Sequence, residues 1–215
     1  LYSVYGEYKN TAREFFATVN LTHNREWYNR IYEQRIENGQ VQRVSLPLSN
    51  HGSGYTVKST LSKGFYELGL KTSFLVLLNI SKAEQISGGQ RLPYQYRLMR
   101  LEPKVIWTPN RHWETSYQTD IRYGGNKIGE RTRLAPLWNV TQQVQLSYIF
   151  SPIEASLSVD HYHNDVNEDQ SVNAVFADFS VSWKSGRWQI TTTATNLFDK
   201  RTYAYTQYAS LESYT

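Results

Sequence analysis

The sequence predicts an all-β chain folded as an antiparallel, up-and-down transmembrane β-barrel. Three observations predict it. Apolar and polar residues alternate with a period of two over long stretches. Short turns recur along the chain and are separated by longer polar segments. Large aromatic residues stand where strands meet turns, not at strand centres.

The elements follow in chain order. Asn24 to Ser49 accommodates one long strand or two. Asn50 to Gly54 reads as a polar loop, and Lys63-Gly64 as a short turn. Ser81 to Leu92 reads as a second polar loop, and Thr108-Pro109-Asn110-Arg111 as a turn. From His112 to Tyr123 one face carries His112, Glu114, Ser116, Gln118, Asp120 and Arg122, and the other Trp113, Thr115, Tyr117, Thr119, Ile121 and Tyr123. Alternation of that length is a strand with one wet and one apolar side. Gly124 to Arg133 is a polar loop, and Val144 to Phe150 alternates with Gln143, Gln145 and Ser147. Ser151-Pro152 turns the chain into Ile153 to Asp160, and His163 to Val172 is the next long segment. Val175 to Trp183 and Trp188 to Ala194 are two further strands around a turn at Lys184-Ser185-Gly186-Arg187. Nothing longer than a turn reads as helix. The spacing gives about 38 residues per hairpin and about 11 strands in 215 residues, many longer than the ~5–6 residues usual in soluble sheets.

A soluble sandwich has the same alternation turned inside out, and the aromatics separate the two. Trp107 and Trp113 bracket one short turn, Trp183 and Trp188 another, and Phe150 stands at a third. A soluble core places its largest side chains mid-strand, whereas a membrane barrel places them at headgroup level. Trp113 to Tyr123 spans about 24 Å of membrane normal at ~3.4 Å per residue and ~45° tilt, close to the ~25 Å apolar band of such barrels.

Composition excludes other classes. The longest plainly apolar run, Phe74 to Leu78, is far short of the ~20 residues of a membrane helix. No stretch of the sequence reads as a signal peptide. Cysteine is absent, which removes disulfides, thiolate metal sites and thiol nucleophiles together. The net charge of +4 is scattered and not gathered into a stripe, so no nucleic-acid partner is expected.

No catalytic, cofactor-binding or metal residue is assigned, and no enzyme is expected. His161 and His163 share a strand face, but a zinc site asks for a third protein ligand, and they read as interfacial histidines. Asp165, Asn167 and Asp169 have the first, third and fifth oxygens of a calcium loop, yet Gln170 replaces its glycine and Phe176 its final glutamate. His112, Glu114, Asp120 and Arg122 spread along one strand and mark no nucleophile, which suits a charged lumen better than catalysis. Gly88-Gly89 and Gly124-Gly125 read as loop glycines without a phosphate-loop Lys-Ser/Thr. The Asn-X-Ser/Thr triplets at Asn20, Asn79 and Asn139 fall in or beside strands and do not read as glycosylation sites.

Asn196-Leu197-Phe198-Asp199-Lys200, followed by Arg201-Thr202-Tyr203-Ala204-Tyr205-Thr206-Gln207-Tyr208, resembles the penultimate strand and last loop of a TonB-dependent receptor barrel. It is most similar to the receptor-like outer-membrane barrels of Bacteroidetes, and Asn38-Gly39 and Asn50 to Tyr55 fit that group more weakly. The resemblance implies about 22 strands, an N-terminal plug and energy from the inner membrane. Residues 1–215 are then expected to be the C-terminal portion of one barrel domain, about 11 of those strands, without plug, energy-coupling box or final strand. It further implies a nutrient receptor or transporter of the bacterial outer membrane, in contact with lipid and coupled to the TonB complex through a plug not present in the chain. Lys184 to Arg187 would be periplasmic and His163 to Val172 extracellular. Glycan, peptide and metal chelate leave no distinct mark as ligands. Two alternatives stay open: a plug-less pore or adhesin barrel, and a soluble carbohydrate-binding β protein.

Overall fold

A computed structural model describes residues 1–37, 40–129, 132–133, 136–166, 169–199, 207–208 and 213–214. The strands are β1 (Tyr2–Asn10), β2 (Phe15–Tyr28), β3 (Ile31–Glu37), β4 (Gln40–Leu46), β5 (Asn50–Phe65), β6 (Leu70–Ser87) and β7 (Gln90–Asn110). They continue as β8 (Trp113–Ile128), β9 (Thr132–Arg133), β10 (Leu137–Phe150), β11 (Ile153–Asp165), β12 (Ser171–Ser185) and β13 (Trp188–Ala194). A separate two-residue pair, β14 (Gln207–Tyr208) and β15 (Ser213–Tyr214), follows.

One sheet runs in the order β1-β2-β5-β6-β7-β8-β10-β11-β12-β13, with every neighbour in this path antiparallel. The hairpin β3–β4 branches from the β2–β5 connection and touches β6 through a short parallel pairing at Glu33–Ile86 and Gln34–Ser87. The chain is all-β and up-and-down, and among the described residues no helix is long and apolar enough to cross a membrane. Among the described residues β1 pairs only with β2 and β13 only with β12, so the sheet is not closed.

Five short connections share one end of the sheet: Thr11–Glu14, Tyr66–Gly69, Arg111-His112, Ser151-Pro152 and Gly186-Arg187. The second of these corrects the turn expected at Lys63-Gly64, because β5 continues to Phe65 before a 3₁₀ turn ends on Gly69 at φ +59°. At the opposite end four expected loops prove to be wholly or partly strand. Asn50 to Gly54 belongs to β5, Gly124-Gly125 to β8, His163 to Asp165 to β11 and Ser171-Val172 to β12, and Ser81 to Leu92 is the continuation of β6 into β7 around Gly88-Gly89. These segments are polar on both sides, so the period-two signal vanishes while the main-chain ladder persists. Gly88 and Gly89, at φ +57° and +75°, supply the left-handed backbone of the tight turn. Asn24 to Ser49 resolves into the end of β2 plus the hairpin β3–β4. The hydrophobic residues that are buried gather mainly here, with Ile31, Ile86, Tyr94, Tyr96 and Leu137 at this end of the sheet.

The register gives the sheet two chemically distinct faces. Cross-strand partners in an antiparallel ladder share a side. One unbroken row on the first face is Val4, Leu21, Val57, Leu78, Met99, Tyr123 and Trp138. A row of the other face is Asn20, Lys58, Leu77, Arg100, Arg122, Asn139 and Asn164. The apolar face is uncovered, with Phe74 38% exposed, Tyr117 39% and Phe179 41%, and the polar face is uncovered as well at Lys58, Gln143 and Gln145.

Aromatics border that face at both ends. Beside the short turns stand Phe65, Trp107, Trp113, Tyr148, Trp183 and Trp188, with the Trp113 and Tyr148 rings 4.6 Å apart. The Trp107 indole N–H donates to the Leu68 carbonyl at 3.2 Å, so its polar edge points to the turn. At the other end His23 stacks on Tyr55 at 4.5 Å and Tyr123 meets Trp138 at 4.5 Å. Beyond this second row the same face turns polar with Ser53, Lys82, Arg97, Lys127 and Asn173. The apolar surface is therefore a band, and the strands outgrow it at one end only.

Candidate functional site

The polar face carries an ionic network at mid-strand. Asp120 accepts from Arg100 Nε at 3.1 Å and Nη2 at 2.9 Å, and from Arg122 Nη2 at 2.7 Å. Glu102 makes a second ion pair with Arg100. Arg100 and Arg122 are direct cross-strand partners, a placement that like charges disfavour, and Asp120 between them compensates. Of the four residues aligned by period, the structure unites Asp120 and Arg122, and adds Arg100 and Glu102 from β7. His112 lies in the β7–β8 turn, where its Nδ1 meets the Ile149 carbonyl at 2.8 Å, and Glu114 is beside it at the start of β8. Neither reaches the network, and no nucleophile–base pair forms around Asp120.

Removing the bridging carboxylate leaves two guanidiniums face to face. Asp120→Ala is expected to cost about 1–2 kcal/mol, and Arg122→Gln in the same chain to restore part of it, because the repulsion goes with the second charge. Denaturant titrations of both variants measure this; equal stability of Asp120→Ala and the parent would show that the network contributes nothing.

A chamber opens on the same face toward the long-loop end. It measures about 430 Å³ and lies between β2, β5 and β6 on one side and the hairpin β3–β4 on the other. Glycine makes the space. Gly52 and Gly54 sit opposite Glu26 and Asn24, and a Cβ on Gly54 would come within 2.3 Å of the Asn24 side-chain oxygen. Tyr32 of β3 and Arg43 of β4 cover it, with the Arg43 guanidinium 3.7 Å from the Tyr32 ring centroid and that of Arg30 at 5.7 Å. The Asn24 amide donates to Glu26 at 3.1 Å, and the Tyr28 hydroxyl donates to the other Glu26 oxygen. Asn50 is spent on structure: its amide donates to the Glu84 carbonyl at 2.9 Å and its oxygen accepts from the Glu84 N–H at 3.2 Å, extending the β5–β6 ladder.

The remaining sequence candidates stay apart. His161 and His163 lie at the end of the apolar face; His163 meets Asn173 at 2.9 Å and Asp165 at 3.5 Å. Among the described residues no three His, Asp or Glu gather as metal ligands. Asp165 accepts from the Trp138 N–H at 2.8 Å; Asn167, within the calcium-like pattern, lies outside the described residues. Asn20, Asn79 and Asn139 sit within β2, β6 and β10 on the polar face. Asn196 to Asp199 forms a turn after β13, with positive φ at Asn196 and Asp199, while Lys200 to Thr206 lies outside the described residues. No protein-family model, curated protein or solved structure matches the chain.

Proposed function

We propose that the chain supplies part of the wall of an outer-membrane β-barrel receptor that takes up a nutrient, with energy delivered through TonB. One observation supports the barrel part of this reading: an apolar face bordered by aromatics stands uncovered in the sheet, while charges and amides fill the other face. A soluble sandwich would bury Phe74, Tyr117 and Phe179 against a second layer, and lipid is the solvent that suits them exposed. The outer edges of β1 and β13, which pair with no strand among the described residues, would need partner strands in hydrocarbon, where each unsatisfied backbone group costs several kcal/mol. Uptake and TonB coupling rest on the resemblance of Asn196 to Tyr208 to the ending of TonB-dependent receptors.

Short turns face the periplasm in such barrels and longer connections face outward. A cysteine at Gln90, exposed beside the β6–β7 turn, is expected to react with an impermeant maleimide on intact cells. One at Ser185, at the β12–β13 turn, is expected to react only after lysis. The reverse pattern overturns the topology, and recovery of the full-length protein in the soluble fraction overturns the barrel.

A further inference from the structure

We infer that a row of basic side chains, just beyond the aromatic border of the apolar face, docks phosphate-bearing lipid headgroups of the adjoining leaflet. The register sets Arg25, Ser53, Lys82, Gln95 and Lys127 side by side across β2, β5, β6, β7 and β8. Arg97 stands on the same face, two residues nearer the band. Arg25, Lys82 and Arg97 are exposed, and Lys127 is half-buried. In the barrel reading, on which this inference rests, that face is turned to lipid.

The height of the row fits the headgroup layer. Arg97 lies two residues beyond Met99 of the last apolar row; Arg25, Lys82 and Lys127 lie four beyond Leu21, Leu78 and Tyr123. That is ~5 Å and ~10 Å of membrane normal at ~3.4 Å per residue and ~45° tilt. Headgroups occupy about 5–8 Å on each side of the hydrocarbon, and long basic side chains bend to reach them. Among the described residues none of the four cations pairs with a carboxylate. Arg25 lies 5.1 Å from the Trp27 ring centroid, and Arg97 donates to the Gln95 side chain at 3.5 Å. Nearby carboxylates of this face are engaged elsewhere: Glu84 pairs with Arg91, and Asp165 meets His163 and the Trp138 N–H. A recess of about 180 Å³ opens within the row, lined by Gln95, Arg97, Tyr123, Gly125 and Lys127. Two cations at a recess with an interfacial tyrosine suit a phosphate whose acyl chains continue down the band. The other border has no counterpart. Among the described strand residues there, Lys63 is the only cation on this face, and its Nζ donates to the Arg13 carbonyl. One charged and one neutral border match a bilayer whose leaflets differ in headgroup charge.

The test uses the full-length protein with a fluorophore on a single cysteine at Ser53, in phosphatidylcholine vesicles. These contain a minor share of dibrominated phosphatidic acid or, in parallel, the same share of dibrominated phosphatidylcholine. The anionic lipid is expected to quench at least about fivefold more strongly at Ser53, and equally with the neutral one at Thr115 near the other border. Arg25→Gln, Lys82→Gln, Arg97→Gln and Lys127→Gln together are expected to bring the preference below about twofold. The same substitution at Lys58, Lys71, Lys104 and Lys184, which removes as much charge from the polar face, is expected to leave it unchanged. Equal quenching by the two lipids at Ser53 overturns the proposal, as does the same preference at Thr115 or one indifferent to the four substitutions. Displacement of the anionic lipid by inorganic phosphate at constant ionic strength would mark a site for a free anion, and also overturns it. Each of these leaves the barrel reading intact. Quenching of neither site by either lipid would strike the barrel reading, and the docking surface with it.

Discussion

Tyr117→Arg is expected to destabilise the protein by about 2–4 kcal/mol, and Gln118→Arg, one residue along, by less than about 1 kcal/mol. The two side chains leave β8 on opposite sides. Tyr117 lies at the centre of the apolar band between Val105 and Val144, and in the proposed barrel a guanidinium there sits in hydrocarbon far from either headgroup layer. Gln118 points to the face of Asp120 and Arg122, between Lys104 and Gln143. An added charge there meets water, and its main cost is the like charge of Lys104 opposite. Urea titrations of the full-length protein in phospholipid vesicles give both values. Equal penalties, or the larger one at Gln118, would mean that the faces are assigned the wrong way round.

Gly69→Ala is the second large effect, at about 2–4 kcal/mol, and it does not depend on what surrounds the sheet. Gly69 closes the β5–β6 turn at φ +59°, where an L side chain costs ~1–2 kcal/mol. A Cβ there would also stand 2.1 Å from the Thr108 carbonyl oxygen and 2.9 Å from its carbon, so backbone must move. That motion strains the 2.8 Å bond from the Thr108 N–H to the Gly69 carbonyl, which ties the β5–β6 turn to the end of β7. Gly186 is the matched control: its φ is +57°, but nothing lies within 4 Å of a Cβ. Gly186→Ala is expected to cost only the conformational part, about 1–2 kcal/mol. The same titration separates them, and identical losses would show that the approach of Thr108 is relieved without cost.

The strands legible in the sequence are those that cross the apolar band. Trp113 to Tyr123 alternates because its two sides meet different surroundings, and the same holds for Val144 to Phe150, Ile153 to Asp160 and Val175 to Trp183. Where strands outgrow the band the signal is lost. Lys82, Glu84, Arg91 and Gln95 stand in β6 and β7 among polar residues of both parities, and no periodicity records the pairing. The charge network was half legible. Asp120 and Arg122 declare a common face by spacing alone, whereas Arg100 and Glu102 join them only through the β7–β8 register, which no local pattern encodes. The chamber left a trace that the reading of Asn50 to Gly54 as a loop passed over: Gly52 and Gly54 continue backward the polar series of Thr56, Lys58, Thr60 and Ser62, the spacing of strand glycines. Tyr32 and Arg43 left none, because the hairpin that carries them folds by a contact with β6 distant in the chain.

The most direct measurement is a single-cysteine scan of β8 from Trp113 to Tyr123 in the full-length protein, reconstituted in bilayers and labelled with a fluorophore. Each site is then quenched from the lipid phase and from water. Odd positions, from Thr115 through Tyr117 and Thr119 to Ile121, are expected to respond to the lipid quencher. Even positions, from Ser116 to Arg122, are expected to respond to the aqueous one. An alternation of opposite phase, or lipid quenching that ignores parity, would contradict a sheet whose apolar face is turned to the membrane.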